Sequence, residues 1–441
     1  MAKFTIYHQG SDRWWLNKNE ERVAYMDPNG DLLINNFLVN GSSCGLLASI
    51  HGLFKADDTV LVQRNAHKSI YNGLMLLGIE TKYLMPERME PESIAGVVTP
   101  TILRSSIDEN PDAKGVIITS PTYYGHTADI KKLAEICHYH NLLLLVDEAH
   151  GAHYYFHPEL KKHSAIYQGA DVVVQSIHKT LPAMTMGSML HISHEAQERI
   201  DRVRLAYYLS VFQTTSPSYI VMASLDYARH WVLKYGQALI EQAFHRKHSL
   251  IDSLEKIGIK VWDRVWERQG KVGDPLKLTM SLETLGMTGK KLEQILADKL
   301  IFIELVSVDH IVLLLHLEES QSTDKRLLRV ITKHIQEKQV SQIKRKELKL
   351  PLEKPKIAVS FSMISREIIE KSTTSYATEQ CSGKVAAEFI IPYPPGVPIL
   401  CPGERITDDH VRFIIEAKDN GIHFQGMASK DCDRIKCFTG R

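Results

Sequence analysis

Leu142-Leu-Leu-Leu-Val-Asp-Glu-Ala-His150 is the stretch of this sequence that decides the fold. Its apolar run ends at an acid, Asp147, and this pattern is typical of a strand that is covered on both faces. Similar runs of Val, Ile and Leu recur between about residues 37 and 192, and segments with helical spacing separate them. The predicted strands are 60–62, 116–119, 142–146, 172–174 and 188–192, and the predicted helices are 46–54, 69–77 and 130–139.

Repeated strand–helix units predict an α/β fold with a mostly parallel, doubly wound sheet, which binds ligands at the carboxyl ends of its strands. Asp147 stands at one such end, and Lys179 follows another, since Ser176-Ile-His-Lys179 comes directly after the apolar run 171–175. A lysine at such a position can form a Schiff base with the aldehyde of pyridoxal phosphate, and an acid can pair with its pyridine nitrogen. The sequence therefore predicts pyridoxal phosphate as the cofactor.

The phosphate of that cofactor needs hydrogen-bond donors, and Asn40-Gly-Ser-Ser-Cys-Gly45 offers them at the start of a predicted helix. Small residues let the backbone approach an anion, and a helix N-terminus supplies N–H groups and a favourable dipole. Ser42 and Ser43 would add hydroxyl groups, although a plain helix cap would give the same pattern. Ser176 and His178, beside the lysine, are further candidates for phosphate binding.

Two residues are candidates for the faces of the pyridine ring. Ala149 comes two positions after Asp147 and is small enough to lie under the ring. His67 follows the predicted strand 60–62 and could stack on the other face, although a lone histidine is more often a structural residue. Lys68 has a setting similar to that of Lys179, but no acid precedes it at a strand end.

These segments together resemble the ornithine/lysine/arginine decarboxylase family of fold type I pyridoxal phosphate enzymes, and most of all its short form from Gram-positive bacteria. The resemblance runs from about residue 37 to the C-terminus, and its most specific part lies near residue 400. The further segments that carry it are Val62-Gln-Arg-Asn-Ala-His-Lys-Ser69, Ser120-Pro-Thr-Tyr-Tyr-Gly125, Phe212-Gln-Thr-Thr-Ser-Pro217, Asp274-Pro-Leu-Lys-Leu-Thr279 and Pro392-Tyr-Pro-Pro-Gly-Val-Pro-Ile-Leu-Cys-Pro-Gly-Glu404.

The resemblance implies a role for each candidate residue. Lys179 would be the Schiff-base lysine, Asp147 would pair with the pyridine nitrogen, and His67 would stack on the ring. The residues implied to hold the phosphate are Ser42, Ser43, Ser176 and His178. Thr214 and Thr215 would reach the phosphate of a neighbouring subunit, which implies a homodimer or a larger assembly with shared active sites.

The implied reaction is the α-decarboxylation of a basic amino acid to CO2 and a polyamine or polyamine precursor. Arginine is the first candidate substrate by analogy, and lysine and ornithine come next. Lys179 or His178 would return a proton to Cα. The substrate side chain is cationic, so an acid should face it, but the sequence does not single one out.

Residues 1–36 do not resemble the family. Short-form members carry a Pro-Gly-His-Lys segment and an Asp-rich segment ahead of the Asn-Gly-Ser motif, and neither stands before Asn40 here. That N-terminal arm helps to build the dimer and the substrate entrance in the family. A second interpretation therefore stays open, in which the protein binds the cofactor but has impaired activity through loss of the arm.

Two other classes of enzyme share parts of this sequence pattern: other pyridoxal phosphate enzymes of the same fold, and helicases. Aminotransferases, desulfurases and aldolases have the same fold and the same acid–lysine pair, and the segment 392–404 favours a decarboxylase over them. Asp147-Glu-Ala-His150 is also similar to the Walker B motif of a DEAH helicase. A helicase needs a G-x-x-x-x-G-K-[ST] phosphate loop ahead of that strand, and the sequence contains none.

The composition places further bounds on function. Lys plus Arg is 53 and Asp plus Glu is 52, so a formal charge of +1 gives no general attraction to nucleic acid or to an anionic membrane. No apolar run approaches a membrane span, and the start has no signal-peptide pattern, so we expect a cytoplasmic protein. The six cysteines are scattered without a C-x-x-C pair, and no metal site is expected.

Three regions are predicted along the chain. Residues 1–315 form the cofactor-binding major domain, with a cofactor core at about 37–235. Residues 316–355, rich in Lys, Glu and Gln, form a charged helix and linker, and residues 356–441 form a C-terminal decarboxylase domain. Further elements predicted outside the core are a helix at 218–258 and strands at 276–280, 311–315 and 385–391.

Overall fold

The computed structural model describes residues 4–9, 13–18, 21–22, 25–26, 32–89, 94–196, 198–271, 273–318, 321–337, 351, 354–361, 363–364, 373–393 and 396–439. The strands are β1 Phe4–Gln9, β2 Arg13–Lys18, β3 Glu21–Arg22, β4 Tyr25–Met26, β5 Leu32–Leu38, β6 Thr59–Gln63, β7 Glu80–Leu84, β8 Gly115–Thr119, β9 Leu143–Asp147, β10 Val172–Gln175, β11 Ser188–Ile192, β12 Lys277–Ser281, β13 Leu305–Val306, β14 His310–Leu314, β15 Thr373–Ala377, β16 Ile391–Tyr393, β17 His423–Gln425 and β18 Arg434–Phe438. The helices are α1 Gly41–Leu53, α2 Lys68–Leu77, α3 Pro100–Glu109, α4 Ile130–Tyr139, α5 Pro158–Lys161, α6 Ile177–Thr180, α7 Arg202–Phe212, α8 Tyr219–Lys256, α9 Trp262–Arg268, α10 Gly289–Ala297, α11 Gln321–Glu337 and α12 Asp408–Asp419.

The central sheet contains eight of these strands in the order β4-β5-β11-β10-β9-β8-β6-β7. The strands β10, β9, β8, β6 and β7 pair in parallel with their neighbours. Strands β11, β5 and β4 extend the sheet beyond β10 with antiparallel pairings. The predicted α/β fold with a mostly parallel sheet is confirmed. The apolar runs predicted as strands form β6, β8, β9, β10 and β11 within one or two residues of the expected bounds.

Helices cover both faces of this sheet. Neighbouring strand residues point to opposite sides, so Leu61 packs in one core cluster and Val62 in the other. Apolar residues of α1 and α2 fill the cluster around Val62, and those of α3 and α4 fill the cluster around Leu61. Each fully buried Leu, Ile or Val side chain contributes roughly 1.5–3 kcal/mol, which explains why these strands are almost purely apolar.

The register of β9 and β10 fixes the relative positions of Asp147 and Lys179. Asp147 lies opposite Val174 in this parallel pair, and Asp147 lies opposite Thr119 of β8 on its other side. The chain leaves β10 after Gln175 and enters the short helix α6, which carries Lys179. The acid and the lysine therefore lie at the same edge of the sheet.

The long helix α8 leads from the large sheet to a smaller α+β part. There the antiparallel sheet β12-β14-β13 packs with α10 and α11 around an apolar core that includes Leu278, Ile311 and Leu292. The C-terminal region has two-stranded sheets, β15-β18 and β16-β17, which pack with α12. Within the described residues, no helix combines the length and apolar character that crossing a membrane requires.

The prediction of a strand over 385–391 is wrong, since only Ile391 of that segment lies in a strand, β16. The backbone there changes partner along its length: the N–H of Ala386 donates to Glu404, that of Ala387 to Lys436 and that of Ile390 to Leu400. Changing partners prevent a continuous ladder, although the composition favours a strand. The predicted helix within 316–355 forms as α11, and residues 338–350 of the predicted linker lie outside the described residues.

Candidate active site

A cavity of about 830 Å³ lies at the carboxyl ends of the parallel strands. Its walls come from the start of α1, the ends of β8 and β9, the loop before β13 and the C-terminal segment around Pro398. Most of the site residues predicted from the sequence line it together, namely Ser42, Ser43, His67, Asp147, Ala149, Ser176, His178 and Lys179.

The start of α1 forms one end of this cavity. Gly41 begins the helix with a φ of +81°, a conformation that favours glycine, and its N–H donates to the carbonyl oxygen of Met186. Asn40 stands at the N-cap position but makes no side-chain hydrogen bond to the helix. The side-chain cap that could have explained this motif is therefore not formed, and the first-turn N–H groups suit an anion.

Two further groups predicted to bind phosphate stand beside the helix start. The hydroxyl of Ser176 donates to that of Ser42 over 2.8 Å, which brings the loops after β5 and β10 together. Nδ1 of His178 lies 2.9 Å from the carbonyl oxygen of Gly187, so this nitrogen carries a proton. Burial lowers the pKa of His178, with the Gly187 carbonyl opposing it. A phosphate dianion nearby would favour the doubly protonated ring, which can donate from Nε2 as well.

Asp147 is buried at the end of β9, and one of its oxygens, Oδ1, accepts the N–H of Ala149 over 3.1 Å. Burial raises the pKa of this carboxyl group, while the Lys179 ammonium opposes the shift. A pyridinium N–H beside Asp147 would stabilise its carboxylate form. Ala149 is almost fully buried in the same turn and lines the cavity, as expected for a residue under a flat ring.

His67 has both a structural contact and a place in the cavity wall. Its Nδ1 accepts the backbone N–H of Ser69 and caps α2. Burial, and then the charges of Lys179 and Lys68, lowers the pKa of His67 to about 4, so the ring is neutral near pH 7. The backbone of Gly396 lies against it, since a Cβ at that position would be 3.4 Å from Cδ2 of His67. A neutral flat ring held in one orientation is suited to stacking.

Lys179 is partly buried, and its Nζ lies 3.1 Å from Nε2 of His150. Burial lowers the pKa of Lys179, and the charge of Lys277 adds to this shift, while Asp147 and Glu304 oppose it. A lysine with a lowered pKa is more often in the neutral form that attacks a carbonyl carbon.

Four residues near Lys179 were not singled out as site residues from the sequence: His150, Tyr123, Glu304 and Lys277. The rings of His150 and Tyr123 pack edge to face with centroids 4.8 Å apart. The Tyr123 hydroxyl donates to Oε1 of Glu304 over 2.9 Å, and Nζ of Lys277 lies 3.5 Å from the same oxygen. Glu304 and Asp147 are the carboxylates among the described residues that line the cavity.

The sequence features that could have identified these residues as part of the site differ in strength. His150 stands three positions after Asp147 at the same strand end, so the sequence carried a signal for it. Tyr123 lies in the segment Ser120–Gly125 that carries the family resemblance. Glu304 is a single acid in a loop before β13, and nothing local marks it.

Thr214 and Thr215 lie on the exposed loop between α7 and α8 and do not line this cavity. The family resemblance implies that they reach the active site of a neighbouring subunit, and this role stays a prediction.

The arrangement fits pyridoxal phosphate. The uncapped start of α1 and the Ser42–Ser176 pair suit its phosphate, the buried Asp147 suits its ring nitrogen, and Lys179 suits its aldehyde. These groups come from separate strand ends and line one cavity, so one cofactor can meet all of them.

Comparisons with known proteins agree with this geometry. Residues 35–323 match the family described as Orn/Lys/Arg decarboxylase, major domain, and residues 344–430 match Orn/Lys/Arg decarboxylase, C-terminal domain. The uncharacterised protein YaaO of Bacillus subtilis strain 168 is 36% identical over 407 residues, which cover 88% of this chain and 80% of YaaO. An arginine decarboxylase of the same strain is 32% identical over 404 residues, covering 91% of this chain and 81% of that enzyme.

Solved structures show the same fold at lower identity. The constitutive lysine decarboxylase of Escherichia coli superposes with a TM-score of 0.78 at 20% identity, covering 92% of this chain and 70% of that chain. A cysteine desulfurase from Thermococcus onnurineus superposes with a TM-score of 0.53 at 15% identity, covering 68% of this chain and 79% of that chain.

Proposed function

This chain belongs to the Orn/Lys/Arg decarboxylase family, and from that premise we propose that it decarboxylates arginine, with lysine and ornithine as the next candidates. The enzyme is a pyridoxal-phosphate-dependent decarboxylase of basic amino acids. When bound, the cofactor accepts the electron pair that remains at Cα after CO2 leaves. The observation that carries the proposal is that Asp147 and Lys179 line one cavity together with a helix N-terminus.

The residues of the chain orient the reaction. The start of α1, Ser42 and Ser176 would hold the phosphate end in place, and Asp147 would hold a proton at the ring nitrogen. Lys179 would be the point at which the aldehyde of the cofactor is held. A site that holds its groups in fixed positions aligns the bond that breaks and removes most of the entropic barrier.

Lys179, rather than His178, is the group that the geometry supports for protonating Cα. The Nδ1 proton of His178 is committed to the Gly187 carbonyl oxygen, and His178 is assigned to the phosphate. Lys179 has a depressed pKa and contacts a neutral histidine, so its amine can gain and lose a proton.

Glu304 supports a substrate with a cationic side chain. Its Oε1 is held by the Tyr123 hydroxyl, and its side chain is about a quarter exposed at the cavity wall, so it remains open to a ligand. A carboxylate at this place can pair with the guanidinium or ammonium group of a basic amino acid. Arginine comes first because several of the relatives are named arginine decarboxylase, among them those of Bacillus subtilis and Bacillus anthracis.

The surface of α7 supports a homodimer with shared active sites. Val203, Tyr207 and Val211 recur every fourth residue on one face of this helix and are all more than half exposed. An apolar stripe of this kind suits a protein interface. It leads directly to Thr214 and Thr215, which would reach the phosphate of the second subunit.

A product assay tests the proposed reaction. Purified protein reconstituted with pyridoxal phosphate is incubated separately with arginine, lysine and ornithine, and amine and CO2 are both quantified. We expect agmatine and CO2 from arginine in equal amounts, and no amine from the variant Lys179→Ala. A keto acid would instead indicate an aminotransferase. Cofactor binding without any product would indicate the homolog with impaired activity.

A further inference from the structure

We propose that His150 is the proton acceptor for Lys179 when this lysine captures the cofactor aldehyde, and that His150 returns the proton to the oxygen that leaves. The inference rests on the proposed function only in taking Lys179 as the attachment point. It does not depend on which amino acid is the substrate.

The contact between the two side chains is direct. Nζ of Lys179 lies 3.1 Å from Nε2 of His150. A lysine ammonium can only donate, so Nε2 is then the acceptor and the neutral imidazole carries its proton on Nδ1. His150 stands in the buried turn after β9, and the edge-to-face packing with Tyr123 limits the rotation of its ring. The acceptor nitrogen is therefore held beside the amine that reacts.

The surrounding charges keep a transferred proton from staying on His150. The groups that face His150 are basic, namely Lys179, Lys277, His67 and His153, and burial together with these charges keeps the pKa of His150 well below its ordinary value. Lys179 faces the carboxylates of Asp147 and Glu304 as well as the ammonium of Lys277. At rest the proton is therefore on the lysine, and a proton passed to His150 is readily released again.

The step conserves atoms and charge. The Lys179 ammonium gives one proton to Nε2 of His150, and the freed electron pair attacks the aldehyde carbon. A C–N bond forms first, and the C=O bond then breaks as the oxygen takes the proton from His150 and a second proton from Nζ. One water leaves, a C=N bond joins Nζ to the cofactor, and His150 is neutral again.

His245 gives a control, because it is an exposed histidine of α8 that does not line the cavity. Replacing it should leave both the rate of cofactor capture and the pH dependence of that rate as they are in the wild-type protein.

The experiment measures cofactor capture by the full-length apoprotein without any amino acid. The absorbance change at saturating pyridoxal phosphate gives the rate between about pH 6 and pH 9 for the wild-type protein, His150→Gln, His150→Ala and His245→Gln, since histidine chemistry falls in this range. Trapping with borohydride and mass spectrometry confirm that Lys179 is the residue attached. Circular dichroism confirms that each variant is folded.

We expect both His150 variants to capture the cofactor about 100-fold more slowly, the usual size of a general-base effect. Added imidazole should restore much of the rate in His150→Ala but not in His150→Gln, because only the alanine variant leaves space for it. Rates within twofold of wild type, or no rescue by imidazole, would overturn the inference. A protein that shows the His150 effect yet makes no amine would contradict the proposed function alone.

Discussion

The guanidinium of Arg64 lies 3.0 Å from the carboxylate of Glu404, and this buried pair joins the end of β6 to a segment 340 residues later in the chain. Arg64 also donates to the carbonyl oxygens of Pro398 and Ile399, and both of those residues line the cofactor cavity. One wall of the cavity therefore depends on a contact between the major domain and the C-terminal region.

Removing one partner of this pair should destabilise the protein strongly. Arg64→Met leaves the Glu404 carboxylate buried without its counter-charge, and we expect a loss of about 3–5 kcal/mol in the free energy of unfolding. The double variant Arg64→Met/Glu404→Leu should lose less, because no isolated charge stays buried. Urea denaturation measures both.

A surface pair is the control for this prediction. Lys290 and Glu293 are 2.7 Å apart but substantially exposed, so Lys290→Met should cost less than about 1 kcal/mol. A double variant less stable than Arg64→Met alone would contradict the explanation by buried charge.

Asp147→Asn should separate cofactor attachment from turnover. An asparagine oxygen can still accept the Ala149 N–H, and Lys179 is unchanged, so the cofactor should still attach. The amide cannot hold the positive charge at the ring nitrogen, and we expect kcat to fall by at least about 100-fold, as for other lost electrostatic stabilisers. Absorbance of the attached cofactor and kcat at saturating cofactor are the measurements. A normal kcat would remove Asp147 from its assigned role.

Glu304→Gln should weaken the recognition of a cationic side chain. A hydrogen bond to a charged group contributes about 1.5–3 kcal/mol, so KM for arginine should rise by about 10-fold to 100-fold with a smaller change in kcat. Citrulline, the uncharged analogue of arginine, should bind the variant and the wild-type protein equally well. Glu318→Gln is the control, since Glu318 is exposed and does not line the cavity. Equal KM values for arginine in wild type and Glu304→Gln would exclude Glu304 as the recognition residue.

Val211→Glu should disrupt the proposed dimer. A carboxylate in the exposed stripe of α7 would be desolvated in an interface, and the dimer should dissociate. Light scattering gives the mass, and a titration with pyridoxal phosphate gives the affinity, which should fall if Thr214 and Thr215 complete the neighbouring site. Tyr139→Glu is the control because Tyr139 is highly exposed on α4, away from this stripe. A monomeric wild-type protein with full cofactor affinity would contradict the shared site.

Stability should fall as the pH is lowered below about 6.5, and His126 contributes to this. Both of its ring nitrogens lack a hydrogen-bond partner among the described residues, and burial, then Lys247 and Lys271, lowers its pKa to about 3. Between about pH 6.5 and pH 3 the unfolded chain binds a proton that the folded protein does not. The free energy of unfolding therefore decreases through this window by up to about 1.4 kcal/mol per pH unit.

His126→Phe tests this dependence, because phenylalanine can keep the edge-to-face contact with Trp266 without a titrating group. Urea denaturation near pH 7.5 and pH 5.5 should show a smaller loss of stability in this variant than in the wild-type protein. The exposed His245 gives the control His245→Gln, for which we expect the wild-type pH dependence. An unchanged slope in His126→Phe would show that other groups dominate.

The sequence predicted the strands of the large sheet best, because β6, β8, β9 and β10 are short apolar runs with both faces buried. It missed β7, whose Glu80-Thr-Lys-Tyr-Leu84 mixes polar and apolar residues, and it placed a strand over 385–391 that the backbone does not form. Composition favours extended structure in both segments equally. Which neighbours are available for hydrogen bonding depends on tertiary packing, and this decided the outcome.

From the sequence alone the fold class and the cofactor could be predicted, and so could the positions of Asp147 and Lys179 at strand ends. Buried parallel strands need apolar runs, and ligand-binding residues at their ends come directly after those runs, so both signals are local. Only the tertiary structure decided that His150 contacts Lys179, that Glu304 faces the cavity and that Arg64 meets Glu404. These contacts join residues from separate elements, and contacts of this kind produce no periodic pattern in the sequence.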